Sequence, residues 1–283
     1  MAAEATHALL SDLLRQEFAG PDEPLAAYIA EHSNLPGPAG NLTLAHQVAR
    51  VFGSAAAERP QPVWDLLARW ASLPLTVAPV NSPREMLPAV AALARGVVGA
   101  ALPEWRPLAL EALRRQAGDS RWRTRELVAQ GLQALLRVDF WNTEEALAGW
   151  VADGEALEMR AAVAALAEPD LLADGRQASA ALSLHRTVLD RLLSFSQEAR
   201  RGESFRTLRQ GLGYSLSVVV VGAPAEGFLA LRALATTPDA DARWVVKENL
   251  KKARLRRAFA EEVGALLALL SQSEPTAARK RRK

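Results

Sequence analysis

Hydrophobic residues recur at helical spacing along most of the chain. After Asp119, Leu127, Leu132, Leu135 and Leu136 follow one another at close to 3.6 residues per turn, which places them on one face of a helix. Short loops containing Gly, Pro, Asp or Ser separate most such segments, and short loops make consecutive helices antiparallel. The pattern predicts an all-α chain of about 12–14 helices, without a strand ladder.

Turn and cap residues predict where these helices begin. Ser82-Pro-Arg-Glu85 has Ser at the N-cap position, Pro at N1 and Glu at N3, which is the pattern of a reciprocal capping box. Asp119 and Asp241 are each suited to cap the helix that follows. Helices are predicted to begin near Thr6, Pro24, Asn41, Pro62, Ser82, Pro103, Asp119, Thr143, Glu155, Gln177, Glu203, Ala225, Asp241 and Arg256.

One short motif occurs twice. Asp119-Ser-Arg-Trp-Arg-Thr-Arg-Glu126 and Asp241-Ala-Arg-Trp-Val-Val-Lys-Glu248 share Asp, Arg, Trp, a basic residue and Glu at the same offsets. Weaker copies contain Met159-Arg160 and Leu208-Arg209. The basic residues that correspond are Arg125, Arg160, Arg209 and Lys247, at spacings of 35, 49 and 38 residues. Such periods are typical of stacked helix pairs, because one pair cannot bury its apolar face alone.

The two motif copies resemble the second helix of HEAT repeats. In that family an aspartate turn is followed by an apolar residue and then Arg or Lys. Met159-Arg160, Leu208-Arg209 and Val246-Lys247 follow this pattern, whereas Thr124-Arg125 has a polar residue in the apolar position. The resemblance covers residues 80–272 and, more loosely, the N-terminal part. It implies a right-handed superhelical α-solenoid of stacked antiparallel helix pairs, of the HEAT/ARM type.

The same resemblance suggests three regions of the chain. Residues 1–80 fit the period less well and are predicted to form a divergent N-terminal helical cap or subdomain, with a loop at 32–41. Residues 81–272 are predicted to form HEAT-like repeats. Residues 273–283, which end in five basic residues, are predicted to be a disordered basic tail.

Motif residues admit a structural and a chemical interpretation. In the structural one, aspartates pair with basic residues of adjacent repeats and tryptophans seal the seam between them. This predicted repeat ladder consists of Asp119, Trp122, Arg125, Arg160, Arg209, Asp241 and Lys247. We favour this interpretation over a catalytic one.

The chemical interpretation rests on a second resemblance. Asp-x-Arg-Trp helices are similar to those of bacterial DNA alkylation repair proteins of the AlkD and AlkC type, which are HEAT-like solenoids that release alkylated bases. That resemblance implies that Trp122 and Trp244 approach DNA, and that Asp119 or Asp241 stabilises positive charge on the sugar. Arg125 or Lys247 would then hold phosphates.

Positive charge is concentrated at the C-terminal end. Residues 243–283 contain twelve Lys or Arg and four Glu, whereas the preceding residues contain 22 basic and 28 acidic ones. An acidic body opposes binding of duplex DNA, while a basic end predicts a protein or nucleic-acid partner with an acidic surface. A solvated helix face is the alternative. The predicted partner-binding residues are Arg243, Trp244, Lys247, Lys251, Lys252, Arg254, Arg256, Arg257, Arg279, Lys280, Arg281, Arg282 and Lys283.

The sequence lacks the residues that several kinds of metal, cofactor or catalytic site require. The chain has no cysteine, and its four histidines have no metal-ligand spacing, so we expect neither a metal ion nor a cofactor. A phosphate-binding loop and a Gly-x-Ser-x-Gly elbow are also missing. The first residues do not resemble a signal peptide and the longest apolar run, Ser217–Gly222, is too short to span a bilayer. We therefore expect a cytoplasmic protein that does not interact with membranes.

These observations predict a non-enzymatic binding scaffold. The partner would bind a concave surface formed by residues near 121–133, 156–168, 205–217 and 243–255, together with the basic end. The tryptophans distinguish the two interpretations. Exposed side by side among basic residues, they would favour DNA, and buried between repeats they would favour a scaffold.

Overall fold

A computed structural model describes residues 2–20 and 23–272 of the chain. These residues form α-helices without any β-strand, which confirms the all-α prediction. The helices are α1 (Ala2–Ala19), α2 (Pro24–Glu31), α3 (Leu42–Ala56), α4 (Pro60–Ala71), α5 (Met86–Ala101), α6 (Arg106–Ala117), α7 (Trp122–Val138), α8 (Phe140–Asp153), α9 (Ala156–Leu166), α10 (Gly175–Ser194), α11 (Glu203–Gly222), α12 (Pro224–Thr236), α13 (Ala240–Leu250), α14 (Ala253–Ala258) and α15 (Ala260–Gln272). Short 3-10 turns lie at Pro83–Glu85, Pro103–Trp105, Pro169–Leu172 and Ala199–Arg201.

Each predicted helix start lies within four residues of an observed one. The described residues contain one helix more than the fourteen predicted starts, because the segment predicted to begin near Arg256 is two helices, α14 and α15. Phe259 separates them with φ −140° and ψ 53°. Its ring packs edge-on against Phe228 of α12, with the centroids 5.2 Å apart. This tertiary contact has no counterpart in the local helical pattern.

The chain divides between Ala146 and Leu147, within α8, into two compact units. Unit 1 precedes this point and unit 2 follows it. The predicted regions 1–80 and 81–272 describe a different division, which stays a prediction.

Unit 1 has two layers of stacked helices. Helices α3, α5 and α7 pack side by side in that order, and α4 and α6 pack on α5 from the other layer. At the α5–α7 contact a Cβ on Gly96 would lie 2.2 Å from the carbonyl oxygen of Gly131. The two backbones can approach this closely only because both residues lack a side chain. Helix α5 is consequently the centre of the unit 1 core.

Unit 2 repeats this arrangement. Helices α9, α11 and α13 pack side by side, α10 and α12 cover them, and α15 packs on α12 and α13. One buried amide joins α11 to α13: Asn249 Oδ1 accepts from Ser217 N at 2.7 Å, and Nδ2 donates to the carbonyls of Leu212 and Val245 at 2.9 and 2.8 Å. Both units therefore consist of stacked helix pairs, as an α-solenoid requires.

The predicted capping box at Ser82 does not form. The Ser82 hydroxyl donates to the Pro79 carbonyl at 2.8 Å and makes no cap bond. Because the turn that follows is 3-10 rather than α, the Glu85 carboxylate accepts instead from the backbone N–H of Asn81 at 2.6 Å. Glu85 also forms a buried ion pair with Arg123 of α7.

Two properties of the described residues concern membranes and metals. None of their helices combines the length and the apolar composition that a bilayer span requires. Nor do residues 2–20 and 23–272 bring together three acidic or histidine side chains in a way that could hold a metal ion.

Candidate functional site

In the first motif copy, Asp119 lies before α7 and binds Arg121. Its Oδ1 accepts from the backbone N and from Nε of Arg121 at 2.7 and 2.8 Å, and Oδ2 accepts from Nη2 at 2.6 Å. Arg121 Nη1 donates to the Leu73 carbonyl at 3.0 Å. The N-cap residue of α7 is Arg121, so the prediction that Asp119 caps this helix is wrong. The carboxylate instead neutralises a buried guanidinium that holds the loop at Leu73.

Trp122 is the first residue of α7 and is 44% exposed. The guanidinium carbon of Arg123 lies 4.5 Å from the centroid of its ring. Arg123 Nη1 is 2.9 Å from Oε2 of the fully buried Glu85, and Nη2 donates to the Gly37 carbonyl at 2.6 Å. Arg123 thereby ties the 32–41 loop to α7. Because Arg123 is not one of the repeated motif positions, sequence analysis did not identify it.

Arg125 of α7 forms hydrogen bonds to the loop that precedes its own helix. Its Nη1 donates to the carbonyls of Asp119 and Ser120 at 2.7 and 3.1 Å. These bonds hold the residues that precede α7. In the first copy, the aspartate and the basic residue of the motif thus both stabilise one loop.

In the second copy the helix begins earlier. Asp239 is the N-cap residue of α13, and its Oδ1 accepts from the backbone N of Asp241 and of Ala242 at 2.9 and 3.0 Å. The prediction that Asp241 caps the helix is therefore wrong. Asp239 moves the start of the helix upstream, and the corresponding position in the first copy is Ala117, which has no capping group.

Asp241 joins α13 to residues that precede it in the chain. Its Oδ2 is 3.0 Å from Arg200 Nη1, and its Oδ1 pairs with Arg209 of α11. The Arg209 guanidinium lies 4.5 Å from the ring centroid of Trp244. Trp244 is half-buried against α11, where a Cβ on Gly213 would lie 3.0 Å from its Cζ3. The second copy therefore forms a contact between neighbouring helices.

The other ladder residues lie on the same layer of unit 2. Arg160 of α9 packs against α11, because a Cβ on Gly211 would lie 3.2 Å from its Cγ. Lys247 is half-buried on α13, three residues after Trp244. Unit 2 thus brings Arg160, Arg209, Asp241 and Trp244 onto three neighbouring helices, α9, α11 and α13.

Trp122 and Trp244 have different surroundings. Trp122 belongs to unit 1 and is exposed, whereas Trp244 belongs to unit 2 and lies between α11 and α13. In each case the guanidinium on the ring is itself bound to a carboxylate. Asp119 and Asp241 are likewise bound to arginines. Carboxylates compensated in this way are poorly placed to stabilise a cationic sugar.

In the basic segment, residues 243–257, two positively charged side chains contact the same aromatic ring. Arg254 Nη2 donates to Tyr214 Oη at 3.0 Å, and its guanidinium carbon lies 4.9 Å from the Tyr214 centroid. Lys252 Nζ lies 5.4 Å from the same centroid. Tyr214 is 50% exposed on α11. Two cations and one exposed aromatic ring therefore share a surface of unit 2.

The remaining basic residues are more dispersed. Lys251 pairs with Glu248, Arg243 Nη2 donates to the Leu270 carbonyl at 3.0 Å, and Arg256 Nε donates to the Leu250 carbonyl at 3.1 Å. Arg257 is exposed on α14. The predicted tail residues Arg279, Lys280, Arg281, Arg282 and Lys283 lie outside the described residues.

Tyr214 also lines an open groove of about 540 Å³. We call it the Tyr214 groove, and its lining residues are Pro169, Leu172, Ala173, Tyr214, Val218, Val221, Gly222 and Arg254. Sequence analysis missed its apolar wall. The available signal was the spacing of Tyr214, Val218 and Val221, which places all three on one face of α11.

The one histidine of unit 2 belongs to its core. His185 is fully buried, with Nδ1 2.8 Å from the Ala181 carbonyl oxygen and Nε2 3.0 Å from Ser215 Oγ. Burial lowers the pKa of His185 to about 4, since a charged imidazole would lose its hydration there. The ring is therefore neutral near pH 7 and joins α10 to α11.

No protein-family model matches the chain, and no curated protein matches it. Among solved structures the chain is similar to a designed armadillo repeat protein, YIII(Dq)4CqI. The two are 15% identical with a TM-score of 0.37, over 86% of this chain and 98% of that chain. At this TM-score the likeness carries no conclusion about function.

Proposed function

We propose that this chain is a non-enzymatic binding scaffold whose Tyr214 groove holds an acidic segment of a partner protein. The observation that supports it most is the position of Lys252 and Arg254, which both lie on the exposed ring of Tyr214, a lining residue of the groove. An apolar side chain of the partner would enter the groove, and its acidic neighbours would pair with the two cations. A cytoplasmic location stays a prediction of the cysteine-free sequence.

Charge complementarity supports an acidic partner. The described lining of the Tyr214 groove contains Arg254 and no carboxylate. The nearest acids in sequence are Glu168, Asp170 and Asp174, and the Asp174 carboxylate already accepts from the backbone N of Arg176 at 2.8 Å. Arg256 and Arg257 are exposed nearby in sequence. Complementary charge of this kind raises association rates and favours partners of opposite sign.

The shape and chemistry of the groove favour a protein segment over a nucleic acid. Leu172, Val218 and Val221 form an apolar wall, which suits an aliphatic side chain. Nucleic-acid sites instead combine basic grooves with free aromatic faces. The Tyr214 ring is already in contact with Lys252 and Arg254, and residues 1–242 carry more acidic than basic side chains.

Fluorescence anisotropy tests the proposal directly. The full chain is titrated into a labelled Glu-rich peptide with one Leu, into the same peptide with Ser for Leu, and into a single-stranded oligonucleotide. We expect the Leu peptide to bind most tightly and its affinity to fall with added salt, since exposed charges are screened. Tighter binding of the oligonucleotide would replace the proposed partner with a nucleic acid.

Variants then locate the site. Arg254→Glu and Val221→Asp are each expected to weaken peptide binding roughly tenfold, which corresponds to about 1.4 kcal/mol. Arg232→Glu, an exposed arginine of α12 that does not line the groove, is the matched control. A chain that ends at Gln272 should retain most of the affinity. If that chain loses binding while Arg254→Glu retains it, the basic tail and not the groove is the site.

A further inference from the structure

Unit 1 contains a buried arginine without an acidic partner. Arg95 lies on the central helix α5 and is 7% exposed. Its Nη1 donates to the neutral side chain of Gln116 at 2.8 Å. Among residues 2–20 and 23–272, no carboxylate forms an ion pair with it. This distinguishes Arg95 from Arg121 and Arg123, which are buried to a similar extent but paired with Asp119 and Glu85.

One edge of the guanidinium is unused. Nη1 is occupied by Gln116, whose own Nε2 donates to the Pro88 carbonyl at 3.2 Å and so fixes the amide. The buried Nε of Arg95 has no hydrogen-bond partner. Nη2 is not among the fully buried atoms and donates to no other group of the described residues, so it remains available to a carboxylate oxygen.

The surroundings of Arg95 add positive charge. Burial, together with the positive charge of Arg115, lowers the pKa of Arg95 to about 10, so Arg95 remains cationic near pH 7. The nearby Arg115 is paired with Glu111, and both of those side chains are mostly exposed. A buried cation that lacks a counter-charge is costly, and a bound anion would remove much of this cost.

One tryptophan packs on Arg95, and a second packs on the first. The guanidinium carbon of Arg95 lies 5.4 Å from the ring centroid of Trp64, and the Trp64 and Trp105 centroids are also 5.4 Å apart. Both tryptophans are half-buried. Trp64 belongs to α4 and Trp105 to the turn before α6. Burial removes the guanidinium from most water, which strengthens its attraction for an anion.

We propose that Arg95, with Trp64 over its guanidinium, binds a single carboxylate group through Nη2. One available guanidinium nitrogen matches one carboxylate better than a phosphate dianion, which requires more donors. The carboxylate belongs either to a small acid or to an acidic side chain of a protein segment. The site lies in unit 1 and does not depend on the Tyr214 groove.

The first test uses the unaltered full chain. Acetate is titrated at constant ionic strength against chloride while NMR records the Nε–H signal of Arg95 and the indole N–H signals of Trp64 and Trp105. We expect saturable shifts with acetate and none with chloride. Equal shifts with both salts, or none with either, would overturn the site. A larger effect of inorganic phosphate would overturn the assignment to a carboxylate.

Thermal unfolding provides the second test. Acetate should raise the Tm of the unaltered chain and of Arg69→Met, an exposed arginine of α4, but not the Tm of Arg95→Met. Without acetate, Arg95→Met removes an uncompensated buried charge but leaves Gln116 Oε1 without its donor, so the acetate-dependent change in Tm, and not the starting Tm, is the readout. A lower Tm for Arg95→Met, with no acetate effect on the unaltered chain, would show a structural role only. A capped Glu peptide and its Gln counterpart distinguish a protein segment from a free acid.

Discussion

The two motif copies share five residue types but build different structures. Around Asp119 the motif stabilises a loop, because Asp119 pairs with Arg121 and Arg125 donates to the loop carbonyls. Around Asp241 it stabilises a helix–helix contact through Arg209 of α11. Trp122 is exposed in the first copy, whereas Trp244 packs on α11 in the second.

Positions outside the motif cause this difference. Two residues before the aspartate, the second copy has the capping residue Asp239 and the first has Ala117. One residue after the tryptophan, the first copy has Arg123, which binds buried Glu85, and the second has the core residue Val245. Matching residue types therefore identify a related helix without determining what each side chain contacts.

The largest expected effect is at Glu85. In Glu85→Gln, Arg123 keeps its buried position but loses its counter-charge, so we expect the free energy of unfolding of unit 1 to fall by about 3–5 kcal/mol. Urea unfolding followed by amide NMR signals of α7 measures this loss, and the α13 signals report on unit 2.

Two further variants check that interpretation. Glu58→Gln, at an exposed position that precedes α4, should leave unfolding nearly unchanged. Glu85→Gln combined with Arg123→Met should cost less than the sum of the two single changes, since the unpaired charge is removed. Additive costs would mean that the ion pair does not link the two side chains.

The two aspartates provide the next comparison. Asp119 is the counter-charge of Arg121, whose side chain is 6% exposed. Asp241 pairs with Arg209, which is 27% exposed and better hydrated, and with Arg200, which keeps Asp239 as a second counter-charge. We therefore expect Asp119→Asn to destabilise unit 1 by about 2–3 kcal/mol and Asp241→Asn to destabilise unit 2 by about 1 kcal/mol. The same urea experiment measures both. Equal losses would contradict the difference in burial.

Acid should affect the two units unequally. The pKa of His185 is about 4 in the folded chain and near 6.5 when unfolded, so as pH falls the unfolded state binds the proton first. Unit 2 should consequently lose about 2 kcal/mol between pH 7 and pH 5. The histidines of unit 1, His7, His32 and His46, are exposed. Urea unfolding at both pH values measures this loss of stability. The control is His185→Gln, in which this pH-dependent loss should be absent.

Local patterns predicted the helices because apolar spacing and turn residues are encoded within each segment. Details that depend on distant residues were not predictable in this way. The interruption at Phe259 accompanies a contact with Phe228 of α12, and the failed capping box at Ser82 reflects the pairing of Glu85 with Arg123 of α7. In both cases tertiary contacts override a local preference.

The candidate site, like the fold, was predictable from the sequence only in part. Charge alone pointed to Lys252 and Arg254, because basic residues are concentrated after Arg243. Tyr214, forty residues before Arg254, could be recognised only once α11 and α14 were packed together. Arg95 carried no sequence signal, since its distinguishing property is that no carboxylate of the described residues forms an ion pair with it.

The buried amide of Asn249 has a consequence for how the chain finds its correct arrangement. Helices rich in Ala and Leu bury similar area in several alignments, so hydrophobic contact alone discriminates poorly among them. Sliding α13 by one turn along α11 would leave the Asn249 side chain and the Leu212 carbonyl without each other in an apolar interior. One buried side chain thus specifies a single alignment of α13 on α11, which disfavours mispaired arrangements of the helices.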